Sequence, residues 1–111
     1  ENYKIKEKYD VITCNYFLHF VKKAIALRII KKIQLNTKSG GINVISGFRN
    51  KPPFYIKRTK KFGYLKHNEL LKLYKGWKIL WYIEGLAKTR AKDKKGNQLN
   101  QETAIIVARK K

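Results

Sequence analysis

The residues able to do chemistry in this chain are few and scattered. Only two histidines are present, His19 and His67, and the seven acids form no pair at helical or hairpin spacing. Paired carboxylates for acid–base work are therefore missing, and so is a Cys/His/Asp set with metal-ligand spacing. Cys14 is the single cysteine, with no CxxC partner, and cannot form an internal disulfide. Gly40-Gly41 is not the GxGxxG that cradles a dinucleotide phosphate. His19 falls at the end of an apolar strand pattern, where a doubly wound sheet places its ligand crevice. The plainer reading is a histidine at a strand–helix junction bonding the backbone. His67 reads as part of a helix start. Trp77, Trp81 and Tyr82 could stack on bases, but aromatics at a period of two in a strand are ordinarily core.

These residues hang on an organising stretch, Tyr9–Phe20, YDVITCNYFLHF. Val11–Leu18 is uncharged and rich in β-branched and aromatic residues, long enough for a strand and too short for a membrane span. It does not alternate cleanly, which is how a strand reads when both faces of a parallel sheet are covered. Only Glu1–Lys8, a polar segment that reads as a loop, precedes it. Nothing earlier can pair with it, so it is expected at a sheet edge.

Val21–Gln34 spaces Val21, Ala24, Leu27, Ile30 and Ile33 by threes, with Lys22, Lys23, Arg28, Lys31 and Lys32 largely between them, an amphipathic helix. Ser39-Gly40-Gly41 is expected to end it through a left-handed glycine. Ile42–Phe48 is a second apolar strand, parallel to the first through the helical crossover. Arg49–Leu65, with Pro52-Pro53 and a basic run at Lys57–Lys61, reads as a long loop over the surface. Asn68–Tyr74 is a short helix that Asn68 or His67 could cap. Trp77–Glu84 and Thr103–Ala108 are two more strands. No helical pattern lies between them and Lys94-Lys95-Gly96-Asn97 is a turn, so they pair as an antiparallel hairpin.

Composition bounds the rest. The chain has 111 residues, 43% of them hydrophobic, which sets it apart from disordered chains despite a formal net charge of +20. That charge would attract nucleic acid, yet the lysines are dispersed, and a solvated surface with weak, non-specific nucleic-acid binding accounts for it more simply. A small basic nucleic-acid-binding protein is the alternative function. No apolar run reaches membrane-span length, so no membrane partner is expected, and a lone thiol fits a reducing cytoplasm.

In order, Tyr9-Asp10-Val11-Ile12, the helix, Thr37-Lys38-Ser39-Gly40-Gly41, Glu69-Leu70 through Gly76-Trp77, and Ala108-Arg109-Lys110-Lys111 resemble the C-terminal half of class I S-adenosylmethionine-dependent methyltransferases. The likeness is in particular to the tellurite-resistance (TehB) type, which commonly shows YDFI, TKPGG, an EL…YxGW passage and a final ARKK. It covers essentially the whole chain, with Ser39 in place of the usual Pro. It implies an α/β fold, the C-terminal half of a Rossmann-like sheet: two parallel strands with a crossover helix, then a short helix and an antiparallel hairpin. Residues 1–111 would be a partial domain lacking the N-terminal cofactor-binding strands. The resemblance assigns Thr13, Cys14, Asn15 and Tyr16 to the cofactor side and the loop from Phe48 and Arg49 to the acceptor side. The family usually carries a His-Arg pair in the last hairpin. Here that region is Thr89-Arg90-Ala91, with Arg90 as the catalytic candidate and no His. The implied reaction is methyl transfer from S-adenosylmethionine to a small-molecule acceptor. The glycine-rich loop and the ribose-binding acid are absent, so this chain is expected not to bind the cofactor alone, and a separately encoded N-terminal half is the expected partner.

Overall fold

The computed structural model describes residues 9–111, with Tyr9 placed as backbone only. The loop expected at Glu1–Lys8 lies outside the described residues. In chain order the elements are β1 (Tyr9–Asn15), α1 (Lys23–Leu35), β2 (Thr37–Phe48), α2 (Glu69–Leu73), β3 (Lys78–Lys92) and β4 (Gln98–Arg109), with single 3-10 turns at Leu18–Phe20 and Lys57–Thr59. The four strands form one sheet in the order β1-β2-β4-β3. β1 and β2 are parallel, and β4 runs antiparallel to both β2 and β3. The α/β class, the parallel pair and the hairpin stand as the sequence implied, and among the described residues β1 lies at the end of the sheet.

Register explains which face is covered. Cys14, Ile45, Ile106 and Tyr82 lie side by side across the sheet, as do Gly47, Ala104 and Glu84. On this face α1 contributes Ala26, Ile30 and Ile33 and α2 contributes Leu70, and Tyr74 follows it into the same core with Leu18 and Leu65. Burying each such aliphatic side chain stabilises by about 1.5–3 kcal/mol. Inside that core Tyr74 donates to Asn43 Oδ1 at 2.8 Å, Asn43 donates to Thr37 Oγ1 at 2.7 Å, and Thr37 donates to the Ile33 carbonyl at 2.8 Å. This buried chain ties α2, β2 and the end of α1 together. Burial pushes the Tyr74 hydroxyl far above its ordinary value, so it stays a donor.

The opposite face carries Val11, Ile42, Val44, Val107, Ile105, Trp81 and Ile83 with no helix over it. Trp81 is 59% exposed and Val11 56%. Trp81, expected in the core, is therefore on an uncovered surface. Trp77 and Tyr82 do pack against the core, Trp77 edge-on to Tyr74 with ring centres 4.9 Å apart.

Two local expectations change. The helix closes at Asn36, whose amide donates back to Lys32 O at 2.8 Å, not at the glycines. Gly40 instead takes φ +81° inside β2, where the register against β1 jumps between Tyr9 and Val11. There its N–H reaches Lys110 O at 2.7 Å, and a Cβ on Gly41 would lie 2.8 Å from Asp10 O. At α2, Asn68 occupies the cap position with φ +59° but its side chain makes no cap bond. Glu84 Oε2 takes the Asn68 N–H at 2.7 Å, and Glu69 Oε1 takes the Lys66 N–H at 2.9 Å.

Candidate functional site

Because β1 and β2 are parallel, their carboxyl ends share one side of the sheet, where α/β folds bind ligands. The end of β1 is tightly held. Ser46 Oγ donates to Asn15 Oδ1 at 2.9 Å, and the Tyr16 N–H donates to Ser46 O at 2.9 Å. Tyr16 then takes φ +54°, unusual for a residue with a Cβ, of the kind that collects at functional sites. The chain turns there into the short 3-10 segment that carries His19.

The far end of β3 reaches the same side. Lys88 pairs with Asn100 and Lys92 with Gln98, so β3 holds two more residues than β4 in that interval. Such a bulge re-aims side chains. It is pinned by Thr89 Oγ1, which donates to Leu99 O at 2.9 Å. A cleft of about 570 Å³ results, walled by Tyr16, His19, Phe20, Phe48 and Phe54, with Lys88 and Arg90 across from them. Phe48 is central: its ring centre lies 4.3 Å from that of His19, 5.1 Å from Phe54 and 5.6 Å from Tyr16. Among the described residues no acid lines this cleft.

The structure thus brings Tyr16, Phe48 and Arg90 together, and adds His19, Phe20 and Phe54. Signals for the additions were present in part: His19 was singled out by its strand-end position. The expected backbone bond is not made by its Nδ1, which is buried without a hydrogen-bond partner. Burial lowers the His19 pKa, favouring neutral imidazole. Arg49 does not reach the cleft. Its guanidinium, 8% exposed, lies 3.4 Å from Glu84 Oε1 and donates to Glu102 Oε2 at 2.9 Å. Thr13, Cys14 and Asn15 border a different space, an apolar trough of about 550 Å³ between β1 and α1 with Ile25, Ile29 and Ile33. Burial pushes the Cys14 thiol up, so it is no nucleophile at neutral pH.

The long loop is clamped rather than loose. Buried Gln101 on β4 donates to Lys51 O at 2.8 Å and accepts from the Phe54 N–H at 3.0 Å, which places Phe54 in the cleft wall. Near α2, Glu84 also accepts from His67 Nδ1 at 2.7 Å and from the Tyr82 hydroxyl. Burial works to raise Glu84, but the Asn68 amide, Tyr82, His67 and Arg49 outweigh it and hold the carboxyl at about 2. Among the described residues no group of His, Cys, Asp and Glu could hold a metal, and no helix is long and apolar enough to cross a membrane.

A nucleotide-type cofactor meets only part of a site here. Asn15 and the left-handed Tyr16 offer the strand-end wall, while the sequence holds neither a glycine-rich loop nor an acid at a neighbouring strand end. The residues fit one side of such a group.

This fold is that of a C-terminal portion of S-adenosylmethionine-dependent methyltransferases. A methyltransferase of that class from Methanosarcina mazei superposes with a TM-score of 0.66 at 17% identity, over 96% of this chain and 63% of that one. The chain belongs to the tellurite resistance protein TehB family, whose model matches residues 1–107. It is 31% identical over 107 residues to the probable S-adenosyl-L-methionine-dependent methyltransferase TehB of Haemophilus influenzae, covering 96% of this chain and 37% of that protein. The crystal structure of TehB from Haemophilus influenzae superposes with a TM-score of 0.81 at 29% identity, over the same shares of the two chains. The chain thus spans just over a third of the length of the relatives it matches.

Proposed function

We propose that this chain supplies the acceptor side of a TehB-type S-adenosylmethionine-dependent methyltransferase, with a small molecule as methyl acceptor. The observation that carries this reading is the cationic, aromatic cleft at the carboxyl ends of β1 and β2, on the family's fold. Its Arg90 orients an anionic acceptor, and Thr13, Cys14, Asn15 and Tyr16 form the cofactor-side wall. Bound S-adenosylmethionine would supply an electrophilic methyl group. The chain's own residues hold and align the acceptor, so catalysis is by proximity and orientation. The family's name makes tellurite the first acceptor to try, and tellurite resistance the first cellular readout.

The glycine-rich half comes from a parallel-stranded partner segment that pairs with the free edge of β1. Support for this lies in the position of β1 at the end of the sheet among the described residues, in the apolar trough beside α1, and in a chain that covers 37% of its TehB relative. A separately encoded N-terminal half is the form we favour, in the reducing setting that a lone thiol suits. The test is co-expression of this chain with the cofactor-binding portion of a TehB relative, followed by assay of methyl transfer to tellurite. Activity that falls at least ten-fold in Arg90→Gln supports the reading. A co-purified, cofactor-bound pair with activity indifferent to that change would overturn it.

A further inference from the structure

We propose that the cleft between the Leu18–Phe20 turn and β3 is a binding site for a planar organic anion, held by Arg90 and by an N–H donated from neutral His19. This deepens the acceptor-side reading above and rests on it. Three independent features converge on it. First, the walls are flat. The His19 and Phe48 rings stack at 4.3 Å with 21° between planes, Phe20 lies 4.1 Å from His19, and Phe54 and Tyr16 extend the wall. Flat walls favour a ligand that is itself a π-system, through offset stacking. Second, the charged groups of the cleft have one sign: Lys88 and Arg90 enter from β3, and among the described residues no carboxylate lines the cleft with them. An uncompensated guanidinium beside low-dielectric walls favours an anion that can take two of its donors.

Third, the tautomer of His19 follows from its surroundings. Nδ1 is buried and has no partner. A proton there would be a buried donor without an acceptor, which is costlier than a lone pair in the same place. A second proton would put a full charge among rings and near two cations. Among the described residues the ionisable groups facing the imidazole are Tyr16, Tyr64, Lys88 and Arg90, and none is a carboxylate. The burial of Nδ1 thus favours the neutral ring with its proton on Nε2, in a residue that lines the cleft. The ring acts as a donor to the ligand, not as a base. Its desolvation, which lowers its pKa, works in the same direction.

The test uses the 111-residue chain with no methyl donor, so its outcome is separable from that of the methyl-transfer reading. Benzoate is the probe, with cyclohexanecarboxylate and inorganic phosphate as comparisons, and binding is followed by the imidazole nitrogen signals of His19 in NMR. Benzoate should bind saturably and at least ten-fold more tightly than either comparison, with the Nε2-protonated signature of His19 retained. Arg90→Gln should weaken it roughly ten-fold, the scale of one lost charge-assisted bond. His19→Phe keeps the stacked ring and removes the donor, and should also weaken binding several-fold. His19→Gln, which restores an N–H, should recover part of the loss. Affinity should not rise as pH falls through the usual histidine range, because a proton on the buried Nδ1 would lack an acceptor and add a charge beside Lys88 and Arg90. Phosphate binding as tightly as benzoate, affinity untouched in His19→Phe, or affinity rising as pH falls through the usual histidine range would each overturn the proposal.

Discussion

Glu84 shows how far a single side chain can be shaped by its neighbours. It takes hydrogen bonds from the Asn68 N–H, His67 and Tyr82 and lies beside Arg49, which holds its carboxyl at about 2. A carboxylate depressed in the folded state stabilises fully above its ordinary value near 4.5, and that contribution is lost as pH falls from there toward 2. Denaturation followed by circular dichroism across that window should show stability dropping. Glu84→Gln should flatten this part of the profile; an unchanged profile would mean that the network does not stabilise the fold. At Asn43 the expected effect is larger. Asn43→Ala leaves the buried Tyr74 hydroxyl without its acceptor and removes the donor to Thr37 Oγ1, which keeps its own bond to Ile33 O. A loss of roughly 1–3 kcal/mol in denaturant unfolding is expected, the scale of one orphaned buried group. Residues such as these are hard to read in a sequence. Nothing about Asn43 between Ile42 and Val44 announces a buried bond to a tyrosine 31 positions away. Arg90 and His19 were singled out in the sequence, one by family position and one by strand-end position, and the structure places both at one cleft. Arg49 was not, because its ion pairs with Glu84 and Glu102 join residues 35 or more positions apart, which no local pattern reports.

Among the elements, β1 carries the clearest consequence. Among the described residues it pairs only with β2, and its other edge and one face are open. An open edge without charge from Val11 onward is a template for another strand. Charge repulsion among copies of a chain with net charge +20 opposes this at low salt, and salt screens it over roughly 10 Å at 0.1 M. Sedimentation velocity should therefore show self-association growing with salt. Thr13→Lys, at an exposed position on β1, should suppress it. A wild-type chain that stays monomeric at high salt would contradict the edge argument. The strand run itself was legible, since an uncharged stretch rich in β-branched and aromatic residues from Val11 onward marks a strand wherever it sits in the sheet. The helix end was misread for a physical reason: Gly40-Gly41 signals a left-handed turn, and the turn is real, but it serves a bulge in β2 instead of a helix terminus. Likewise the period-two aromatics of β3 do mark a face, but the sequence alone cannot say whether that face is covered, and Trp81 lies on the bare one.

At the scale of the molecule, the helices cover one side of a four-stranded sheet whose other side is apolar and, among the described residues, open. The basic residues are dispersed along the sequence. DNA binding should accordingly be weak, indifferent to sequence and erased by moderate salt, as read by fluorescence anisotropy at two salt concentrations. Tight, sequence-selective binding that survives physiological salt would favour a nucleic-acid role. The cleft at the carboxyl ends of β1 and β2 is the more informative surface, because its aromatic wall and its two cations come together there. The most direct test of this account is calorimetric titration of S-adenosylmethionine into two samples. One is the 111-residue chain alone, and the other is the chain co-purified with the cofactor-binding portion of a TehB relative. The account predicts no measurable heat of binding in the first and a dissociation constant near the micromolar range, roughly −8 kcal/mol, in the second. Binding of that strength by the chain alone would contradict it.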